Sequence, residues 1–517
     1  MATASHVVED QSAVFDFLAD PVTHAGADDV HRIDTHGAAV FLAGDDAYKV
    51  KRAVKFPFMD FSTLDKRKTT CEAEIAVNRP NAPDIYLGAV PITRDGNGLA
   101  IDGDGEPVEW CVHMRRFDVD MTLDRIAERD GLSDDLLRRT AAAIAASHQR
   151  AALREGTAFA KALAEIVRSN GSSLAEAPEV FDDFRAENLI RRSQSALKSV
   201  TSALDARERQ GRVRRCHGDL HLRNIVLLGD EPTLFDAIEF DEDLATTDVL
   251  YDLAFLLMDL GQRGLTREAN LILNRYLAED RDPNQIAGLA AMPLFVSVRA
   301  VIRAKVIAAS VENAPQDKKS GLIAEAQRYF DFAEAVLVPY PPRLVAVGGL
   351  SGTGKSTLAA HLAGDLTPFP GALHLRSDVI RKRLMGVGEH EKLGDDGYTE
   401  AVTRQVYDTL LQETASALRA GQSVVVDAVN QRLEEREALA DLASEMDVDF
   451  TGLWLEAPTE TLVARADNRD RDASDADGAV VVSQAERDLG YLDWYRIDAG
   501  SGPEQTLQAA RAAVGIS

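Results

Sequence analysis

The chain has 517 residues, of which 45% are hydrophobic and 27% are charged, and this length predicts more than one domain with ample core. Its formal net charge of −27 argues against a non-specific nucleic-acid binder and favours solubility. The three cysteines, Cys71, Cys111 and Cys216, lie far apart without the paired spacing of a zinc site, which indicates reduced thiols in the cytosol.

Neither a signal peptide nor a membrane span is predicted. The N-terminus has no basic flank before an apolar run, and no uninterrupted apolar stretch reaches membrane-spanning length. We therefore expect a cytoplasmic protein without a membrane partner.

The first part of the chain is predicted to form strands that are joined by hairpins, after a helical lead-in within residues 1–30. The predicted strands cover residues 33–37, 38–42, 47–50, 99–101 and 108–114. Lys49 and Lys51 alternate onto one face of the third of these strands. A helix is predicted over residues 64–78.

The region that follows is predicted to be helical. Its predicted helices cover residues 136–148, 159–169, 184–204 and 296–310. Their apolar residues recur at helical spacing, as expected for helices that pack on one another.

Residues 216–225 are predicted to form a tight loop between two strands. Asp219 and Asn224 lie on this loop, and Asp236 ends the next predicted strand, over residues 233–236, after a turn at 229–232. Three oxygen-bearing side chains therefore converge. One carboxylate can accept the proton of an attacking hydroxyl, while an amide oxygen and a second carboxylate can hold Mg²⁺ against nucleotide phosphates. This pattern predicts phosphoryl transfer, with Asp219 as the base and Asn224 and Asp236 as metal ligands.

The loop resembles the catalytic loop of kinases, in which an Asp-x₄-Asn spacing is followed by a metal-binding aspartate. The sequence His217-Gly218-Asp219 is more similar to that of aminoglycoside phosphotransferases and choline-kinase-like enzymes than to that of protein kinases. The resemblance covers most of residues 30–335. It implies an α+β, protein-kinase-like domain over residues 1–338, with a small lobe at about 30–115 and a helical large lobe at about 120–335.

The same resemblance implies roles for charged residues of the small lobe. Either Lys49 or Lys51 is expected to contact the nucleotide phosphates, and the sequence does not decide between them. Glu74 is expected to pair with that lysine, with Glu72 as the alternative. Asp252 is expected to brace the catalytic loop through its backbone N–H groups. A glycine-rich nucleotide loop, as in protein kinases, is lacking.

A proline linker at residues 339–343 precedes a second domain, predicted over residues 344–517. A buried strand at 344–347 leads into a complete phosphate-binding loop and then a helix at 357–366, which is the context that this motif requires. Lys355 is expected to reach the terminal phosphates of ATP, and Ser356 to bind Mg²⁺. The remaining nucleotide-binding residues predicted for this loop are Gly349, Ser351, Gly352, Thr353, Gly354 and Thr357.

The rest of the second domain alternates predicted strands and helices, which indicates an α/β fold with a parallel sheet and helices on both faces. The predicted strands cover residues 373–375, 423–426, 451–455 and 494–497, and the predicted helices cover residues 379–384, 399–420, 434–446 and 459–466.

Two carboxylates follow strand ends of this sheet. Asp427 follows the strand at 423–426, where a metal-associated carboxylate is expected, and Asp378 follows the strand at 373–375, where it could take a proton from a hydroxyl substrate. The pattern Asp378-x-x-Arg381 resembles polynucleotide kinases, zeta toxins and gluconate-kinase-like enzymes.

That second resemblance implies an arginine lid over the nucleotide, to which Arg465 and Arg469 would contribute. The alternative for this charged run, residues 465–477, is a solvated acidic and basic loop.

The whole chain resembles bacterial two-domain proteins that join an aminoglycoside-phosphotransferase-like part to a P-loop kinase part. This predicts a bifunctional ATP- and Mg²⁺-dependent enzyme that phosphorylates hydroxyl groups of small molecules in the cytoplasm. One alternative is a single catalytic half with a nucleotide-binding regulatory module. Another is a nucleic-acid 5′-hydroxyl kinase in the C-terminal domain.

Overall fold

The computed structural model describes residues 6–56, 59–96, 98–280, 282, 284–312, 314–468 and 473–516. Its contacts divide the chain into two compact units. The first unit comprises Met1–Thr157 and Gly211–Leu253, and the second comprises Ala158–Gln210 and Ala254–Ser517. This division groups much of the predicted large lobe with the C-terminal sheet, so it does not coincide with the predicted domain boundary at 339–343. The boundary that the sequence predicts between two kinase-like domains therefore stays a prediction.

The strands of the described residues are numbered along the chain. They are β1 (Val30–Asp34), β2 (Ala38–Ala43), β3 (Asp46–Lys51), β4 (Lys55–Phe56), β5 (Met59–Asp60), β6 (Tyr86–Asp95), β7 (Gly98–Ile101), β8 (Glu106–Arg115), β9 (Val213–Arg215), β10 (Ile225–Leu228), β11 (Glu231–Leu234), β12 (Thr246–Asp248), β13 (Arg343–Gly349), β14 (Leu373–Arg376), β15 (Val424–Asp427), β16 (Asp449–Glu456) and β17 (Tyr495–Asp498).

The helices are numbered in the same way. They are α1 (Ser12–Ala19), α2 (Leu64–Asn78), α3 (Leu123–Arg129), α4 (Asp134–Arg150), α5 (Phe159–Ala175), α6 (Asp183–Arg209), α7 (Glu242–Ala245), α8 (Val249–Gln262), α9 (Thr266–Asp280), α10 (Asn284–Gly288), α11 (Met292–Val311), α12 (Gln316–Val336), α13 (Lys355–Asp365), α14 (Ser377–Leu384), α15 (Glu400–Arg419), α16 (Leu433–Glu445), α17 (Thr459–Asp467), α18 (Gly478–Ala485) and α19 (Pro503–Val514).

The first unit contains an antiparallel sheet of six strands in the order β1-β2-β3-β8-β6-β7. Strand β3 lies inside this sheet, so Lys49 and Lys51 extend from a strand that is paired on both edges. Helix α2 begins after Thr63, whose hydroxyl accepts a hydrogen bond from the Lys66 N–H group, and it spans the predicted residues 64–78. The sheet therefore fixes the backbone positions of the two lysines, and the helix fixes that of Glu74.

The predicted strand at 233–236 is wrong in its bounds. Strand β11 pairs with β10 from Glu231 to Leu234, so Pro232 lies inside the hairpin and the turn is shorter than predicted. Pro232 is tolerated because the hairpin has only two strands, so no third strand needs the backbone N–H group that proline lacks. Asp236 consequently lies two residues beyond the strand, with a positive φ of 60°.

One helical segment bears on the expected absence of a membrane span. The segment Asn284–Val311 is long and apolar enough to cross a membrane, but 78% of its most apolar window is buried inside the protein. Arg299 on α11 lies over the ring of Phe255, with its guanidinium carbon 4.8 Å from the ring centroid. Such burial is typical of a core helix of a globular unit.

The second unit contains a parallel sheet of five strands in the order β14-β15-β13-β16-β17. The register aligns both Val347 and Arg376 with Asp427, so the carboxyl ends of three strands meet at one edge. Apolar residues cover both faces, as predicted for an α/β sheet. Ligands of open parallel sheets bind at this edge. Helices α18 and α19 were not predicted.

Candidate active sites

The catalytic loop of the first unit is held by hydrogen bonds to its backbone. The N–H groups of His217 and Gly218 donate to the carboxylate of Asp252 at 3.2 and 2.7 Å. The Asp219 N–H group donates to His217 Nδ1 at 3.3 Å, and His217 Nε2 lies 2.8 Å from the carbonyl oxygen of Phe235. These contacts fit a neutral ring that accepts at Nδ1 and donates at Nε2. Burial lowers the pKa of His217 below its ordinary value, which favours that neutral form.

The structure brings together the three residues predicted to converge. The Asn224 side-chain amide nitrogen donates to the backbone oxygen of Asp219 at 2.9 Å and to its carboxylate at 3.1 Å. Asp236 lies close enough that the charge of Asp219 opposes its ionisation. The Asp236 N–H group donates to the Tyr86 hydroxyl at 3.0 Å, and the Ala237 N–H group donates to Asn78 at 2.7 Å, so the strained residue is fixed on both sides.

The two candidate lysines share one glutamate. Lys49 Nζ lies 2.7 Å from Glu74 Oε1 and 2.6 Å from Asp236 Oδ1, while Lys51 Nζ lies 2.5 Å from Glu74 Oε2 and also pairs with Glu239. The Lys49 side chain is 16% exposed and that of Lys51 is 3% exposed. Lys49 is thus the lysine beside the predicted metal aspartate, whereas Lys51 is buried between two glutamates. Glu72, the alternative partner, lies 3.9 Å from Lys68 instead.

The charges of this cluster depend on one another. Burial alone would lower the pKa of Lys49, but the charges of Asp236 and Glu74 outweigh it and hold the pKa well above its ordinary value. Burial would likewise raise the pKa of Glu74, but the two lysines hold the pKa of this carboxyl below its ordinary value. Burial raises the pKa of Glu239 despite its contact with Lys51. The protonation state of each residue in the cluster therefore depends on its ion-pair partners.

The donor set of the first site fits a divalent cation. Asp219, Asn224 and Asp236 supply carboxylate and amide oxygens, which are the hard ligands that Mg²⁺ prefers. Counting Glu74 and Glu239 as well, four carboxylates face only two lysines. The residues present therefore leave an excess of negative charge that a magnesium ion would balance.

The phosphate-binding loop of the second unit has the backbone shape that its glycines allow. Gly352 has a φ of 82°, and a Cβ atom there would lie 2.5 Å from the carbonyl oxygen of Leu462. The Ser351 N–H group donates a hydrogen bond to Gln484 Oε1 at 2.9 Å. A side-chain oxygen therefore occupies one of the loop N–H groups that are expected to bind phosphate. Lys355 begins helix α13, and its Nζ donates to the Leu350 carbonyl at 3.0 Å. Thr357 follows Ser356 in the first turn of that helix.

The predicted metal ligands of the second site are bridged by an arginine. Arg376 Nη2 donates to Ser356 Oγ at 3.1 Å, and Arg376 Nε lies 3.4 Å from Asp427 Oδ2. Burial would raise the pKa of Asp427, but a hydrogen bond from His374 and the charge of Arg376 hold this pKa well below its ordinary range. Ser356 and Asp427 supply hydroxyl and carboxylate oxygens, the hard ligands that Mg²⁺ prefers, and one guanidinium contacts both, so the pair fits Mg²⁺.

Asp378 lies in the first turn of α14, directly after the end of β14. Its charge contributes to the raised pKa of the Tyr398 phenol, after burial and a hydrogen bond to Asp475. Arg381, one turn on, donates to the Gly397 carbonyl at 2.8 Å and lies over the Tyr398 ring. Arg381 therefore fastens the loop before α15.

The predicted arginine lid is placed only in part. Arg465 Nη1 donates to the Ala499 carbonyl at 3.0 Å, and Arg469 lies outside the described residues. In the same charged run, Asp475 accepts hydrogen bonds from Lys382 Nζ at 2.6 Å, from the Tyr398 hydroxyl at 2.7 Å and from the Leu393 N–H group at 3.0 Å. Asp475 was not predicted as a site residue, because its partners lie far away along the chain.

Two family models match the chain, on either side of the predicted linker. The phosphotransferase enzyme family matches residues 120–289, and a family described as an AAA domain matches residues 344–487. These matches confirm the predicted pairing of an α+β kinase-like region with an α/β P-loop region.

Relatives match nearly the whole chain. Two uncharacterized proteins, Rv2004c of Mycobacterium tuberculosis and Mb2027c of Mycobacterium bovis, are each 30% identical over 505 residues, covering 95% of this chain and 96% of the relative.

Solved structures resemble parts of the chain. A choline/ethanolamine kinase family protein from Mesorhizobium loti is 14% identical, with a TM-score of 0.40, over 64% of this chain and 95% of that one. A gluconokinase from Sinorhizobium meliloti 1021 is 21% identical, with a TM-score of 0.24, over 34% of this chain and 97% of that one.

Proposed function

We propose that this chain is a bifunctional ATP-dependent kinase. It belongs to the same family as the two mycobacterial proteins and is an enzyme of the phosphotransferase type. Each half would transfer the γ-phosphate of ATP to a hydroxyl group of a small molecule. The observation that carries the proposal is that each half holds a lysine near a carboxylate suited to Mg²⁺, Lys49 beside Asp236 and Lys355 near Asp427. Each half also holds a carboxylate suited to proton transfer, Asp219 or Asp378.

In the first site, Asp219 accepts the proton of the attacking hydroxyl group. Its backbone is anchored beside His217, and its carboxylate is oriented by the amide of Asn224, 3.1 Å away. Lys49 contacts the nucleotide phosphates while Glu74 holds its Nζ in place. Asn224 and Asp236 would hold Mg²⁺, which neutralises phosphate charge when bound.

In the second site, backbone N–H groups of the phosphate-binding loop and Lys355 contact the phosphates. Ser356 and Asp427 would hold Mg²⁺. Asp378 accepts the proton of the second hydroxyl substrate, since it begins a helix at the sheet edge where ligands of such sheets bind. The raised pKa of the nearby Tyr398 keeps that phenol protonated, so it does not compete with Asp378 as a base.

Labelled ATP incubated with the full chain and a cell metabolite extract would test the proposal. Asp219→Asn should remove one set of labelled products, Lys355→Ala another, and the double variant both. Asp230→Asn in the β10–β11 turn and Lys198→Ala on α6 change exposed residues of the same types and should leave both sets unchanged. Failure of Asp219→Asn to remove any product would overturn the first assignment.

The two alternatives predict different results in the same experiment. A half that binds ATP without yielding a product of its own would favour a regulatory module. Labelling of a 5′-hydroxyl oligonucleotide, lost in Lys355→Ala, would favour a nucleic-acid end kinase. The net charge of −27 supports small-molecule substrates instead. The reduced thiols of Cys71, Cys111 and Cys216 support a cytoplasmic enzyme.

A further inference from the structure

Arg376 has an unusual position for a cation. It ends strand β14, and its guanidinium contacts Ser356 Oγ at 3.1 Å and Asp427 at 3.4 Å. These are the two oxygens assigned to Mg²⁺ in the proposed function. Its side chain is 18% exposed, so it is packed against the loop rather than extended into solvent.

We propose that Arg376 competes with Mg²⁺ for Ser356 and Asp427, and that Glu389 receives the guanidinium when the metal binds. The inference rests on the proposed function of the second site. It makes Arg376 a positioning residue that sets how much Mg²⁺ the site requires.

The competition follows from charge and space. Ser356 Oγ offers one hydroxyl oxygen, and a guanidinium that binds it together with Asp427 occupies the directions a metal ion would need. Two cations at this spacing also repel each other strongly in a partly buried site. Arg376 must therefore leave before Mg²⁺ can contact both oxygens.

Glu389 supplies the alternative position. Its Oε1 lies 3.7 Å from Arg376 Nη1, so the guanidinium needs only a small movement to pair with it fully. Its other oxygen pairs with Arg275 of helix α9, whose second guanidinium nitrogen pairs with Glu279. Glu389 is thus fixed from α9 although it lies in the loop after α14.

Helix α9 also fixes the strand that carries Arg376. Asn274 Oδ1 accepts a hydrogen bond from the His374 N–H group at 2.7 Å, and Asn270 donates to the Ala372 carbonyl at 2.9 Å. One helix therefore positions both the arginine and its alternative partner.

Nucleotide binding, measured without turnover, tests the inference. The full chain carrying Lys49→Ala, which removes the phosphate lysine of the first site, is titrated with a fluorescent ATP analogue in EDTA and then across Mg²⁺ concentrations. Arg376→Gln should lower the Mg²⁺ concentration for half-maximal binding about tenfold, because the competing charge is gone. Arg376→Lys keeps the charge but not the two guanidinium nitrogens, so its midpoint should lie between those of the parent and Arg376→Gln.

Glu389→Gln should shift the same midpoint in the opposite direction, about fivefold upward, because Arg376 loses its alternative partner. In the Arg376→Gln background this substitution should have no effect, since Glu389 acts through the arginine. An unchanged or raised midpoint in Arg376→Gln, or a Glu389→Gln effect that persists without the arginine, would overturn the inference.

A different result would contradict the proposed function of the second site. If Lys355→Ala leaves binding of the analogue unchanged, the phosphate-binding loop does not bind nucleotide, and the proposed second site itself is wrong. Circular dichroism and the midpoint of urea denaturation verify that each variant is folded.

Discussion

Lys49 and Lys355 are both expected to meet nucleotide phosphates, yet their surroundings differ. Lys49 is ion-paired with carboxylates that come from α2 and from the segment after β11. Lys355 begins a helix and contacts the carbonyl of Leu350, five residues earlier in the same loop. The surroundings of Lys49 therefore depend on the balance of side-chain charges from distant parts of the chain, whereas those of Lys355 depend on the local shape of the backbone.

The largest expected effect comes from the shared glutamate of the first site. Glu74→Gln leaves Lys49 and Lys51 buried with one carboxylate fewer, which should lower the free energy of unfolding by about 3 kcal/mol. The midpoint of urea denaturation, together with hydrogen exchange of β3 and α2, measures this change.

Glu72→Gln is the matched control, because Glu72 lies on the same helix, is exposed and approaches Lys68 only at 3.9 Å. It should change the free energy of unfolding by less than about 0.5 kcal/mol. Equal effects of the two substitutions would show that the charge balance at Lys49 and Lys51 does not stabilise the first unit.

The second site should respond to backbone shape instead. Gly352→Ala adds a Cβ atom 2.5 Å from the carbonyl oxygen of Leu462 at a positive φ, so we expect a loss of about 2 kcal/mol in nucleotide binding to this loop. Titration of the Lys49→Ala chain with a fluorescent ATP analogue measures it.

Gly386→Ala is a control that separates the backbone strain of a positive φ from the steric contact that Gly352→Ala would make with Leu462. Gly386 also has a positive φ, of 72°, but a Cβ atom there would meet nothing within 4 Å. It should reduce stability by about 1 kcal/mol and leave nucleotide binding unchanged. Weakened binding in Gly386→Ala as in Gly352→Ala would show that the close approach to Leu462 is not what the loop requires.

The smallest effect is a pH dependence confined to the catalytic loop. The pKa of His217 is lowered from 6.5 in the folded protein, so below about pH 6.5 the unfolded chain binds a proton that the folded chain resists. The free energy of unfolding therefore falls as the pH falls, until the folded pKa is reached and both states bind the proton. Hydrogen exchange of residues 216–225, measured from neutral to mildly acidic pH, should show this loss.

His217→Gln removes the titrating ring and should flatten that pH profile, whatever its effect on stability at neutral pH. A profile as steep in His217→Gln as in the parent chain would assign the pH dependence to other groups. The second site has no histidine in its phosphate-binding loop, so Gly352→Ala should not alter the profile.

In both sites, the parts formed by residues close together along the chain could be predicted from the sequence. The phosphate-binding loop and α13 were predicted because strand, glycines and Lys355 follow one another within a few residues. The catalytic loop was predicted for the same reason, since Asp219 and Asn224 are five positions apart.

Contacts between distant segments could not be predicted. Lys49 and Lys51 lie on one face of β3, and only the positions of Asp236 and Glu239, more than 180 residues later, distinguish them. The contact of Arg376 with Asp427 depends on the parallel register of β14 and β15, which are separated by two helices. Strand β6 was missed entirely, although it lies beside β8 in the sheet.

The carboxylate of Asp475 gathers an ammonium group, a phenol and a backbone N–H group from α14 and the loop after it. Because all three donors share one acceptor, they cannot be released one after another without leaving that acceptor partly paired. Loss of the Asp475 carboxylate would therefore break all three hydrogen bonds at once, and α14 and the loop after it would lose these contacts together rather than one by one.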